Sequence, residues 1–178
     1  IPNFIAQTPS MKLISLVFLA FLLHFCGSPR QAQTEKDTRI LTGADQTEKY
    51  IPLLFGKRVA IMANQTSVIG NTHLVDSLKK RGVNIVKVFG PEHGFRGNAS
   101  AGVHVADEND LATGIPVISL YGSKNKPSKE DLADVDILIY DLQDVGCRFY
   151  TNINALARLM DACHENGKEI KEQLTGFY

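Results

Sequence analysis

The chain has 178 residues, 44% of them hydrophobic and 21% charged, a composition that suits one globular domain with a proper core. Nineteen basic and nineteen acidic residues cancel. No basic face gathers along the sequence, so nucleic acid is excluded as the expected partner in favour of a small molecule or a polymer end.

In chain order, residues 1–10 precede the first methionine. Met11 and Lys12 lead into LISLVFLAFLLHF, an apolar run of thirteen residues. That length suits the core of a secretory signal and is short for a membrane span. Residues 1–26 are therefore read as upstream sequence and signal peptide. The expected location is periplasmic or extracellular, with no stable membrane insertion after signal cleavage. Cys26 raises a lipoprotein anchor, which the bulky His24 and Phe25 before it disfavour. Residues 27–50 are polar and mixed and read as a linker into a domain spanning 51–178.

From Lys57 the pattern becomes regular. RVAIMA (58–63) is an apolar run of strand length. NTHLVDSLKKRG (71–82) predicts a helix capped by Asn71 or Thr72 and stopped at Gly82. NIVKVF (84–89) and IPVISLY (115–121) are the second and third strands. SKEDLAD (128–134) predicts a short helix capped by Ser128, and VDILIYDL (135–142) a fourth strand. NINALARLMDACHENG (152–167) predicts a long helix with Ile153, Leu156, Met160 and Cys163 on its inner face. Continuous apolar strands alternating with helices imply an α/β fold: a Rossmann-like, doubly wound, mostly parallel sheet with helices on both faces. After Gly167 another apolar strand is due, yet the chain reads KEIKEQLTGFY. The domain is therefore expected to be incomplete at its C-terminus. Cys147 and Cys163 have no metal-site spacing; Cys163 reads as a plain buried thiol, and a disulfide is not deducible.

In an open parallel sheet, ligands bind beyond the carboxyl ends of the strands. The first strand runs into Asn64, Gln65 and Thr66, and the second into GPEHGFRG (90–97), which holds Glu92, His93 and Arg96 among three glycines. The third runs into Tyr121, and the fourth into DLQDVGCRFY, with Asp141, Gln143, Asp144, Arg148 and Tyr150. All four strands deliver polar groups to one edge, while the opposite edge receives ordinary Lys, Asp and Gly. The bland readings are turn and cap roles for Asn64 to Thr66, helix capping for Asp141 and Asp144, a solvated pair at Glu92 and His93, a surface charge at Arg148, and packing roles for the tyrosines. A metal set of Glu92, His93, His104 and Asp107 lacks any established ligand spacing, so no metal is expected. No GxGxxG or Walker loop follows the first strand, which argues against a nucleotide, and no nucleophile elbow is present. No cofactor is expected. Carboxylates, amides, tyrosines and arginines around one crevice suit a carbohydrate.

The segments KRVAIMANQTSV, VFGPEHGFRGNASAG, TGIPVISLYG and LIYDLQDVGCRFYT closely resemble the NamZ-type exo-β-N-acetylmuramidases, over roughly Gly43 to Gly167. The resemblance implies a secreted bacterial glycoside hydrolase that releases N-acetylmuramic acid from the non-reducing end of peptidoglycan fragments. It also implies a Rossmann-like catalytic domain followed by a smaller C-terminal domain, and it places the family's catalytic glutamate at Glu92. Phe89 and Phe95 are expected to desolvate that acid. Asp141, Asp144 or the substrate's acetamido group is expected to meet the developing positive charge, and Arg96 or Arg148 to read the lactyl carboxylate of a muramyl saccharide. The competing readings are a non-catalytic muropeptide-binding module and an inactive fragment of the enzyme.

Overall fold

The computed structural model describes residues 41–97 and 108–172. Helix α1 (Thr47–Leu54) is followed by β1 (Val59–Ala63), a small hairpin of β2 (Val68–Ile69) and β3 (Thr72–His73), and helix α2 (Leu74–Lys80). Then come β4 (Ile85–Gly90), β5 (Glu108–Asn109), β6 (Pro116–Ser119), β7 (Ile137–Asp141), helix α3 (Asn152–Glu165) and β8 (Glu169–Glu172). One sheet has the order β5-β6-β4-β1-β7-β8, and only its β5–β6 pair is antiparallel. Numbered along the chain, its parallel strands lie in the order 3-2-1-4-5. This is the doubly wound arrangement, and the strand order reverses between β1 and β7.

The pleat divides the core in two. Val59, Ile61, Ala63, Ile137 and Ile139 face Tyr50 and Leu54 of α1 and Leu74, Val75 and Leu78 of α2. Ala60, Met62, Leu138 and Tyr140 face Leu156, Leu159, Ala162 and Cys163 of α3, together with Leu132 and Val135. Every residue of β1 and of β7 is buried, which explains why both read as unbroken apolar runs rather than alternating ones.

The structure departs from the sequence reading in five places. The stretch 42–50, expected to be linker, belongs to the first core: Ala44 and Tyr50 are buried, and the Tyr50 hydroxyl donates to the Ala44 carbonyl at 2.8 Å. The first long helix starts later than expected, because residues 68–73 form the β2–β3 hairpin and His73 serves as the cap, accepting from Val75 N at Nδ1. The expected short helix at 128–134 is a set of turns. Ser128 and Asp131 do exchange hydrogen bonds between backbone and side chain as a helix start would. The buried Lys87, however, takes the Asp131 carbonyl at 2.6 Å, and Val135 N bonds to Leu132 instead. On α3 the buried positions are Leu156, Leu159, Ala162 and Cys163, whereas Ile153 and Met160 are half exposed. The stripe is thus rotated from the one expected, to suit the tilt of the helix over β7. Finally, the strand thought missing after Gly167 is present: β8 pairs in parallel with β7 from Ile137↔Glu169 to Tyr140↔Glu172. Its polar residues hid it, since an edge strand needs only one covered face, here through Ile170 against the second core. The expected signal peptide, the Cys26 anchor, and His104 and Asp107 of the metal set lie outside the described residues.

Leu159→Ala is expected to lower stability by about 2–5 kcal/mol, because it opens a cavity beneath α3. Met160→Ala, one residue along, should change it by less than about 0.5 kcal/mol. Urea unfolding of the two variants checks this; equal losses would mean that the helix is rotated differently.

Candidate active site

A cleft of about 840 Å³ opens at the carboxyl ends of the parallel strands, over the point where the strand order reverses. Its size is within the range of small-molecule sites. β1 leads into Asn64, Gln65 and Thr66, β4 into Pro91, Glu92 and His93, β6 into Leu120 and Tyr121, and β7 into Gln143, all of them lining residues. The far wall is made by Val145, Phe149 and Tyr150 and by the first turns of α3.

The loop after β4 is held in two halves. In its first half Gly94 N closes a turn onto the Pro91 carbonyl at 3.0 Å. His93, the third residue of that turn, takes φ 69°, a left-handed conformation that costs a non-glycine residue about 1–2 kcal/mol and is found preferentially at functional sites. The turn presents Glu92 and His93 to the cleft, and the Tyr121 hydroxyl hydrogen-bonds the Glu92 carboxylate. That bond raises the Tyr121 phenol above its ordinary value.

In the second half, Phe95 is buried in the first core, edge-on to His73 with ring centroids 4.6 Å apart. The guanidinium of Arg96 stacks 4.7 Å above Phe95. It donates to both oxygens of Asp76 on α2, at 2.9 and 2.8 Å, and to both oxygens of Asp110 after β5, at 2.8 and 2.7 Å. Two bidentate pairs on one guanidinium form a rigid strut. Gly97 follows with φ 71°, where an added Cβ would lie 2.9 Å from the Gln65 side chain; only glycine lets this loop close against the one after β1.

His73 supports the same corner. Its Nε2 donates to the Asn64 carbonyl at 2.9 Å while its Nδ1 accepts from Val75 N. The bond accepted at Nδ1 needs the neutral ring, and burial favours that form by lowering the pKa. Asn64 itself is partly a turn residue: its Oδ1 accepts from Thr66 N at 2.9 Å and Thr66 Oγ1 at 2.7 Å.

Of the residues expected at the site, the structure brings Asn64, Gln65, Glu92, His93, Tyr121, Gln143 and Tyr150 together around the cleft. Four others are placed elsewhere. Asp141 is fully buried and pairs with Ala63 on the α1 side of the sheet, where, with burial, it pushes the Tyr50 phenol up. Asp144 closes its own turn, accepting from Gly146 N at 2.8 Å, and caps the start of α3, accepting from Ile153 N at 3.2 Å. Arg96 is engaged in the strut, and Arg148 is exposed and outside the lining. Glu92 is therefore the one carboxylate among the described lining residues. Phe89 and Phe95 are built into the two cores and do not line the cleft. Residues the sequence reading missed are Asn125, Phe149, Asn154 and Arg158. The α3 pair was detectable as a polar i, i+4 stripe flanking the buried one. Cys147 is exposed and Cys163 is a buried free thiol, raised by burial to about 11 and so unreactive at neutral pH. No helix among the described residues is long and apolar enough to cross a membrane.

The Asp110 carboxyl is held down at about 2, chiefly by Arg96 and also by Thr113. An unfolded aspartate titrates near pH 4, so this pair stabilises the fold fully above about pH 4 and progressively less as the pH falls toward 2. Wild type is expected to lose about 1–2 kcal/mol over that window through this group after allowance for solvent screening. Asp110→Asn should already be less stable at pH 7 and show a flatter acid limb; parallel acid limbs in thermal melts would show that the strut carries no stability.

Residues 59–171 match the family described as exo-β-N-acetylmuramidase NamZ, N-terminal. The peptidoglycan β-N-acetylmuramidase NamZ of Bacillus subtilis is 44% identical over 140 residues, covering 76% of this chain and 33% of that protein. Two crystal structures of DUF1343 family proteins from Bacteroides fragilis are similar. One has a TM-score of 0.65 and 44% identity, covering 76% of this chain and 35% of its own. The other has 0.66 and 42%, covering 74% and 33%. The chain thus spans about a third of the length of the relatives it matches.

Proposed function

Because the chain belongs to the NamZ exo-β-N-acetylmuramidase family through its N-terminal region, we propose that it carries the acid-bearing part of an exo-acting peptidoglycan glycoside hydrolase. The reaction would release N-acetylmuramic acid from the non-reducing end of a muramyl saccharide. The observation that carries this reading is the placement of Glu92: the one carboxylate among the described lining residues, on the loop after β4, hydrogen-bonded by Tyr121 and facing a cleft lined with amides and aromatics. Exposed Phe149 and Tyr150 suit the apolar faces of sugar rings, and Gln65 and Gln143 suit their hydroxyls.

In this mechanism Glu92 gives its proton to the glycosidic oxygen as the bond to the anomeric carbon breaks. Tyr121 then donates to the carboxylate left behind. With Asp141 and Asp144 committed elsewhere, no pair of acids lines the cleft among the described residues, so the carboxyl separation that distinguishes retention from inversion has nothing to measure. That favours the substrate's 2-acetamido oxygen as the group that bonds to the anomeric carbon. Water then opens the cyclic intermediate, giving its proton back to Glu92, and the acetamido group is restored. The leader-like stretch at 11–26 supports an exported protein, where such substrates occur.

Glu92→Gln in the full-length protein is expected to lower kcat on a muramyl disaccharide by about 10²–10⁴-fold. The loss should be smaller on an aryl muramide, whose leaving group needs less protonation. Near-normal disaccharide hydrolysis by this variant would remove Glu92 from the mechanism. Binding of muramyl saccharide with no turnover by the wild type would establish a binding module instead.

A further inference from the structure

Arg158 lies on α3 with Asn154 one turn before it, on the face that borders the cleft. It is the one lysine or arginine among the described lining residues. None of the ion pairs or side-chain hydrogen bonds among the described residues involves it. The other two arginines of the loops are accounted for: Arg96 by Asp76 and Asp110, and Arg148 by its position outside the lining. A guanidinium kept without a carboxylate partner beside a binding cleft has an unused fork for two parallel hydrogen bonds, which matches a carboxylate. Its placement also fits. Glu92 leaves β4 and α3 follows β7, with β1 between them. Two strand spacings put the acid's loop and the start of the far wall about 10 Å apart at the sheet edge, roughly the span of one substituted sugar ring.

We propose that Arg158 determines the substrate class of this cleft by reading a carboxylate carried on the terminal sugar, so that an acidic amino sugar is taken in preference to its neutral counterpart. Asn154 stands beside it to bond the substituent's remaining oxygen atoms. The proposal rests on the glycosidase reading above but concerns recognition, so it is testable apart from turnover.

The test compares two aryl glycosides in the full-length protein: a muramide with its lactyl group as the free acid, and the same compound with that group as the amide. In wild type the acid should be preferred. Arg158→Ala should shrink the acid-over-amide ratio of kcat/KM by about 10–100-fold, the range of a lost charge-assisted hydrogen bond, and Arg158→Lys should restore part of it. A ratio unchanged in Arg158→Ala would overturn the proposal while leaving the hydrolase reading intact. Calorimetry with free N-acetylmuramic acid and N-acetylglucosamine on Glu92→Gln, with and without Arg158→Ala, reads the same preference without catalysis. If wild type hydrolyses neither glycoside but its preference for the acid in binding falls with Arg158→Ala, the hydrolase reading fails and the recognition proposal stands. An equal affinity for both sugars in both proteins would overturn it.

Discussion

The structure depends on β1 being paired on both sides. Val59–Ala63 lies in parallel register with β4 on one edge and β7 on the other, with helices covering both faces. A strand in that position has no access to water along its length, so it must be apolar throughout, and polar chemistry begins only where it ends. The chain then departs toward one side of the sheet from β1 and toward the other from β7. Neither connection fills the space directly above the pair, and the cleft is that unfilled space.

What the loops do there is set by how firmly they are anchored. The stretch from Gly90 to Gly97 looks like a run of ionisable groups, but its two halves have different duties. Phe95 and Arg96 tie the loop to α2 and to the β5–β6 hairpin through a stacked, doubly bidentate guanidinium. Glu92 and His93 are thereby presented on a turn whose left-handed residue the surroundings must hold in place. Charge spent on architecture lies a few residues from charge left facing the cleft, and sequence distance does not distinguish them.

The far wall shows the same division. Asp144 accepts from the first turns of α3 and so orients the helix. Leu156, Leu159 and Cys163 press it onto β7. The remaining face turns Asn154 and Arg158 to the cleft. Among the described lining residues, one acid on the β4 side and one cation on the α3 side give the cleft a polarity, the feature on which the proposed recognition of an anionic sugar rests. In the proposed mechanism the substrate's own amide takes the second catalytic role.

The amino-acid sequence by itself determined four of the five parallel strands, the body of α2 and of α3, the doubly wound class and the edge that bears the candidate site. These follow from local patterns: apolar runs, helical spacing and turn residues after strands. Glu92, Tyr121 and Gln143 were legible for the same reason, since a residue directly beyond a strand end has little freedom in where it goes. Tertiary structure alone decided which charges are spent. Arg96 could be assigned to the strut only once Asp76 and Asp110, 20 and 14 residues away, were brought to it. Asp141 was turned from the cleft by the parity of one pleat, and β8 was made a strand by β7 rather than by its own polar residues. Backbone conformation is governed largely by neighbours in sequence, whereas the partner of a side chain is governed by neighbours in space.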